Sequence, residues 1–165
     1  MAETRHLLLL RHAKSSWDDP ALADHDRPLS RRGREAAKLI GEHLVSSGTE
    51  IGLVLCSSAL RARQTVELVQ PSGQIRIEPE LYGASADQLL GRLRHVSEEV
   101  ETTMLVGHNP AIQDLAVGLV GAETELARRK FPTAGLATLT FTERWRELKW
   151  GDGSLAAFVT PKELR

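Results

Sequence analysis

The chain has 165 residues, the size of one ordinary domain, and its 41% hydrophobic and 26% charged content supports a real core and excludes a disordered chain. Lys plus Arg number 21 against 22 Asp plus Glu, a formal charge of −1, which argues against a general nucleic-acid or membrane-surface binder but leaves room for a local basic pocket. The one cysteine, Cys56, excludes an internal disulfide framework and fits a reducing, cytoplasmic setting. The longest aliphatic run, Leu7 to Leu10, is too short for a membrane span or a signal-peptide core.

Leu7 to Leu10, closed by Arg11, predicts a buried strand feeding a polar loop. Ala13 to Ser30 has no sustained apolar period, and a connection that long inside a compact domain is commonly functional. Ser30 is placed to cap a helix whose apolar face is Ala36, Ala37, Ile40 and Leu44, ending near Gly48. Leu53 to Cys56 predicts a second buried strand, followed by a helix over Leu60 to Val69 that stops before Pro71. Ile75 and Ile77 alternate in a short strand, and Leu89, Leu90, Leu93 and Val96 mark another helix. Met104 to Val106 predicts a third buried strand, Pro110 sits where a first helical turn would begin, and Ile112, Leu115, Ala116 and Leu119 form that helix's apolar face. From Leu136 the pattern alternates through Leu139 and Phe141, then Leu148 and Trp150, then Leu155, Ala157 and Val159, which predicts two or three antiparallel strands. Gly151-Asp152-Gly153 reads as a hairpin turn. The order predicts an α/β fold, a three-layer α/β/α sandwich with a mostly parallel central sheet, formed by one domain over residues 1–165.

Charged clusters follow three of the predicted strands: Arg11-His12, then Ser57 to Arg61 with Arg63, then His108-Asn109. Ligands bind at that edge of open α/β sheets, where helices begin and present N–H groups. Arginines there offer planar, permanently charged forks for phosphoryl oxygens. A histidine among such cations resists protonation and keeps a nitrogen free to attack. Asn109 before Pro110 reads as a helix N-cap that would aim backbone donors at the same place. The chemistry this suggests is phosphoryl transfer to histidine.

Leu10-Arg11-His12-Ala13 followed by Ser15-Ser16-Trp17 resembles the signature of the histidine phosphatase (phosphoglycerate-mutase-like) superfamily. Arg27-Pro28-Leu29-Ser30 with Gly33, the run Ser57 to Thr65, and Val106-Gly107-His108-Asn109-Pro110 resemble its SixA-type phosphohistidine phosphatases in particular. The resemblance implies the phosphoglycerate-mutase-like fold with a small cap. It implies His12 as the transiently phosphorylated nucleophile, Arg11 and Arg61 as phosphoryl ligands and His108 as the second pocket histidine, with no metal and no cofactor. Ser57 and Asn109 are further candidates for substrate contact.

Two positions depart from the family pattern. Asp18 stands where many relatives place an asparagine on the phosphoryl group, and Asn109 stands where the acid-phosphatase branch places a proton-donating aspartate. Glu80 lies near where the mutase branch places its acid, so Glu80 and Asp18 are the candidate proton donors. A phosphate ester expels an alkoxide and needs a good acid, whereas phosphohistidine expels an imidazole whose conjugate acid has a pKa of about 6.5. A pocket without an obvious acid therefore suits a phosphoramidate. Only one helix separates Leu81 from Thr102, so the pocket is expected to be open to a phosphohistidine displayed on a protein. The alternatives are a small-molecule phosphomonoesterase and a non-catalytic phosphate-binding module. Asp24, His25 and Asp26 read as a solvated loop, Cys56 as a small buried hydrophobe, Arg63 as a solvated helix residue, and Trp17 as a loop anchor or a pocket wall.

Overall fold

A computed structural model gives the fold and describes residues 3–165; Met1 and Ala2, which open the expected domain, lie outside the described residues. Strand β1 (Arg5–Arg11) carries the leucine run, and all of it is buried because helices cover both faces of the sheet here. Leu8 and Leu10 pack with Ile40 and Leu44 of α1 (Arg31–Ser46) and Val66 of α2 (Leu60–Val69). Leu7 and Leu9 pack with Leu90 and Leu93 of α3 (Ala86–Leu93) and Leu115 and Leu119 of α4 (Ala111–Val120). The period-two alternation of a strand thus divides one continuous apolar run between two cores.

Strands β2 (Leu53–Ser57), β3 (Gln74–Glu78) and β4 (Thr102–Gly107) join β1 in parallel, while β5 (Leu136–Phe141) pairs antiparallel to β1 and β6 (Ser154–Val159) antiparallel to β5. The spatial order is β3-β2-β4-β1-β5-β6. Two short helices, α5 (Glu125–Arg128) and α6 (Pro161–Leu164), precede β5 and follow β6. The result is the three-layer sandwich that the alternation of elements predicts. Among the described residues no helix is long and apolar enough to cross a membrane.

Three local expectations change, while the short strand at Ile75 and Ile77 holds. Leu148 and Trp150 form no strand: a 3-10 turn at Trp145–Glu147 drops Leu148 into the core and leaves Trp150 half exposed, so the alternation there reflects a buried loop. Gly151 to Gly153 belong to a turn closed by Asp152 N–H on Lys149 C=O, within the long connection between β5 and β6. Ile75 and Ile77 lie on β3 as expected but are exposed, because β3 is an edge strand. The helix holding Leu89 to Leu93 ends before Val96, which is buried just beyond it.

The register sets the site. Arg11 pairs with Gly107, and the His12 N–H donates to the Gly107 carbonyl at 3.0 Å, so His12 and His108 leave adjacent strands side by side. On the other flank of β4, Cys56 pairs with Val106, which brings Ser57 to the same edge.

Candidate active site

His12 is 7% exposed, and its orientation is fixed through one nitrogen. Nδ1–H donates to the Ala13 carbonyl at 2.7 Å, which makes Nε2 the nitrogen that carries the lone pair. Ala13 is itself held, because its N–H donates to Thr65 Oγ1 at 3.0 Å while that hydroxyl donates to the Arg61 carbonyl at 2.7 Å. Arg61 Nε–H donates to the His12 Nε2 lone pair at 3.3 Å, a bond that an arriving phosphoryl group would replace. Burial, reinforced by His108, Arg61 and Arg11, pushes the His12 imidazole down to about 3 despite the opposing bond to Ala13. The ring is therefore neutral and nucleophilic across the working range.

Arg61, at the start of α2, uses the rest of its fork on Asp24: Nη1 donates to the Asp24 carbonyl at 2.7 Å and Nη2 to its carboxylate at 3.0 Å. Tyr82 Oη donates to the same carboxylate at 2.6 Å, and Arg27 reaches its other oxygen through Nε at 3.3 Å and Nη2 at 3.2 Å. The Tyr82 hydroxyl, together with Arg61 and Arg27, holds the Asp24 carboxyl at about 2 against the usual 3.8. Asp24 is an anion under any ordinary condition and has no proton to give.

His108 stands beside His12 with ring centroids 5.0 Å apart, and Tyr82 meets its edge at 5.6 Å. Arg61 Nη2 approaches His108 Nδ1 at 3.5 Å, so Nε2–H is the end that donates to Ser57 Oγ at 2.7 Å. Burial, then Arg61, lowers the His108 imidazole to about 4. Arg11 donates through Nη1 to the Phe131 carbonyl at 3.0 Å, but its Nε is buried without a partner. Arg11 places a second fixed positive charge near His12 and helps to lower its basicity.

The family model for the histidine phosphatase superfamily (branch 1) matches residues 7–100. The chain belongs to that superfamily. An uncharacterised protein of Mycobacterium leprae is 38% identical over 161 residues, covering 93% of this chain and all of its own length. A SixA-type structure from Nakamurella multipartitia superposes with a TM-score of 0.88 at 32% identity, covering 97% of this chain and 98% of the other. The protein histidine phosphatase SixA complexed with tungstate superposes at 0.82 with 26% identity, covering 97% and 99%. The fold is thus phosphoglycerate-mutase-like, and the chain is a histidine-type phosphatase.

The structure brings His12, Arg61, His108 and Ser57 into one bonded cluster of this phosphatase, with Arg11 at its side. It does not bring in the candidate acids. Asp18 and Glu80 are exposed, and neither side chain makes a hydrogen bond or ion pair among the described residues. Asn109 is engaged elsewhere: its Oδ1 accepts from Gln113 N–H at 3.3 Å and its Nδ2 donates to the Phe131 carbonyl at 3.1 Å. The backbone cap of α4 is Pro110, so Asn109 serves that helix from one residue further out and points no free donor at the pocket.

Sequence reasoning missed Asp24 and Tyr82. The Asp24–Asp26 loop, read as solvated, folds onto the site, and His25 Nε2 also meets Ser58 Oγ at 2.9 Å. Its functional signal was the length of the connection itself. Trp17 is 74% exposed and stacks on the Arg27 guanidinium at 3.5 Å, so it supports the arginine that holds Asp24. Arg63 donates to the Ser58 carbonyl at 2.9 Å. Cys56 is fully buried with its thiol pushed up to about 12 by that burial, so it is no nucleophile. Between β3 and β4 lie a 3-10 turn at Pro79–Leu81 and α3, and a cleft of about 330 Å³ is lined by His108 and Asn109. Among the described residues no three His, Cys, Asp or Glu side chains converge as metal ligands.

Proposed function

We propose that this phosphatase removes the phosphoryl group from phosphohistidine on a protein, without a metal, through a covalent phosphohistidine intermediate at His12. The observation that carries the reading is the pairing of a neutral, oriented His12 Nε2 with Arg61 Nε at 3.3 Å, in a cluster whose one carboxylate, Asp24, is locked as an anion.

Nε2 attacks phosphorus, the P–N bond of the substrate breaks, and its electron pair returns to the leaving imidazole. That imidazole departs neutral when its outer nitrogen carries a proton, so no enzyme acid is required. Arg61 and Arg11 stabilise the charge spread over the equatorial oxygens, and His108, neutral with its one proton on Ser57, borders them. Water then attacks the phosphorus of phospho-His12, and the P–Nε2 pair returns to His12. The Ala13 carbonyl keeps a proton on Nδ1 throughout, so His12 also leaves as neutral imidazole, while the protons of the water stay with phosphate or pass to solvent. An alkoxide of a serine ester would need a proton that Asp24 cannot supply. The SixA structure that holds tungstate, an oxyanion, supports phosphate-sized anion binding at this fold. The lone buried Cys56 supports a cytoplasmic setting.

The test is to capture the intermediate. After brief mixing with a radiolabelled small phosphoramidate, the protein should carry alkali-stable, acid-labile label that is absent from His12→Ala. Phosphate release by the wild-type protein with no label on His12 would overturn the covalent mechanism.

A further inference from the structure

Charge is sorted along this molecule although its total is nearly zero. Lys14 follows β1 and Ala13, Arg32 lies in the first turn of α1, Lys130 precedes β5, and Lys162 and Arg165 follow β6. All five therefore sit at the sheet edge where Arg11 and His12 emerge, because β5 begins opposite the end of β1 and β6 ends there. Together with Arg129 they line one cleft of about 570 Å³. Arg129 is neutralised by Glu125 at 3.5 Å and Glu163 at 3.0 Å, whereas the other five make no ion pair among the described residues and are exposed. The opposite edge is acidic: Glu3, Glu98, Glu99 and Glu101 line a second cleft in which Arg5 is the cation, paired with Glu98.

The wall between the basic cleft and the phosphoryl site is a single segment. Phe131 turns its carbonyl to Arg11 and Asn109. Pro132 and Thr133, next in the chain, line the basic cleft, and Ala134 N–H returns to the carbonyls of Arg11 and His12. An occupant of both must reach over that wall, which a small phosphorylated metabolite held in the pocket would not do.

We propose that this basic cleft is a docking site for an acidic segment of the phosphoprotein substrate, placed beside the phosphohistidine that enters the His12 pocket. The proposal rests on the phosphohistidine reading above and adds the chemistry of the surface that presents the group. Five unpaired cations at the catalytic edge and a cluster of acids at the far edge orient an anionic partner toward the site as it approaches.

Two peptides of equal length carrying one phosphohistidine, flanked by glutamates in one and by glutamines in the other, test it. The wild-type protein should turn over the glutamate peptide with a KM lower by about tenfold, a preference that shrinks as salt rises. In Lys130→Glu/Lys162→Glu the preference should vanish or invert, while kcat/KM for a small phosphoramidate stays within about twofold. Lys130→Gln/Lys162→Gln should give an intermediate preference, which a folding defect would not. Equal KM values for the two peptides on the wild-type protein would overturn the docking site and leave the phosphohistidine reading standing. Turnover of the phosphoramidate but of neither peptide would instead overturn that reading and the docking site with it. Binding of DNA or anionic vesicles that the reversal abolishes, with no peptide preference, would reassign the cleft to those surfaces.

Discussion

Arg61 Nε lies 3.3 Å from His12 Nε2, so a fixed cation faces the lone pair that is to attack, while the same guanidinium is anchored on Asp24 by its other two nitrogens. The arrangement prepares the site for charge that arrives with the phosphoryl group.

Arg61→Lys keeps the charge but removes the fork that reaches His12, Asp24 and His108 at once. Turnover of a phosphoramidate should fall by about 10²-fold or more, the scale of losing one well-placed oxyanion donor. Steady-state kinetics within about threefold of wild type would show that charge alone suffices.

Asp24→Asn retains the shape and one acceptor for Arg61 and Tyr82 but removes the negative charge from Arg61. Loss of that repulsion outweighs the small loosening of the arginine, so tungstate and inorganic phosphate should bind several-fold tighter by calorimetry. Weaker binding would mean that Asp24 acts chiefly by holding Arg61 in place.

His12 and His108, lowered to about 3 and about 4, should remain neutral in NMR titrations of the native protein down to about pH 5. The unfolded chain takes up these protons near pH 6.5, so between 6.5 and about 4 it binds more protons than the native state and stability falls as pH falls. Titration of His12 near 6.5 in the native protein would contradict the burial argument.

Gly33, in the first turn of α1, has the Lys14 backbone carbonyl where a Cβ would stand. Gly33→Ala should cost about 1–3 kcal/mol in chemical denaturation, the range for overpacking a tight site. Because Lys14 adjoins the Ala13 carbonyl that orients His12, turnover should fall with it. An unchanged unfolding midpoint would show that the segment yields freely.

The residues legible in the sequence are those that strand order alone brings together. A run such as Leu7 to Leu10 flanked by Arg11 and His12 can be read as a buried strand with chemistry at its end, and β4 places His108 next to it by register. Asp24 and Tyr82 were not legible, because their contact joins two loops 58 residues apart and depends on the path of each loop rather than on any period. Leu148 and Trp150 misled for the opposite reason: a period of two arose in a loop, where Leu148 is buried and Trp150 is not. Asn109 was expected as the N-cap of α4, but the cap is Pro110 and Asn109 bonds Gln113 from one residue further out, while its bond to Phe131 joins a segment 22 residues away that no local pattern announces. Gly33 was visible as part of a motif, and only the backbone of Lys14 explains why it is glycine.

The central claim is tested most directly by metal-free turnover of a phosphohistidine-bearing protein beside a phosphoserine peptide and a sugar phosphate, with His12→Ala as control. Preferential loss of phosphohistidine, abolished by the substitution, is the result expected from a neutral His12 in a pocket whose carboxylate cannot donate a proton. Faster turnover of either ester, or phosphohistidine turnover that survives His12→Ala, would contradict it.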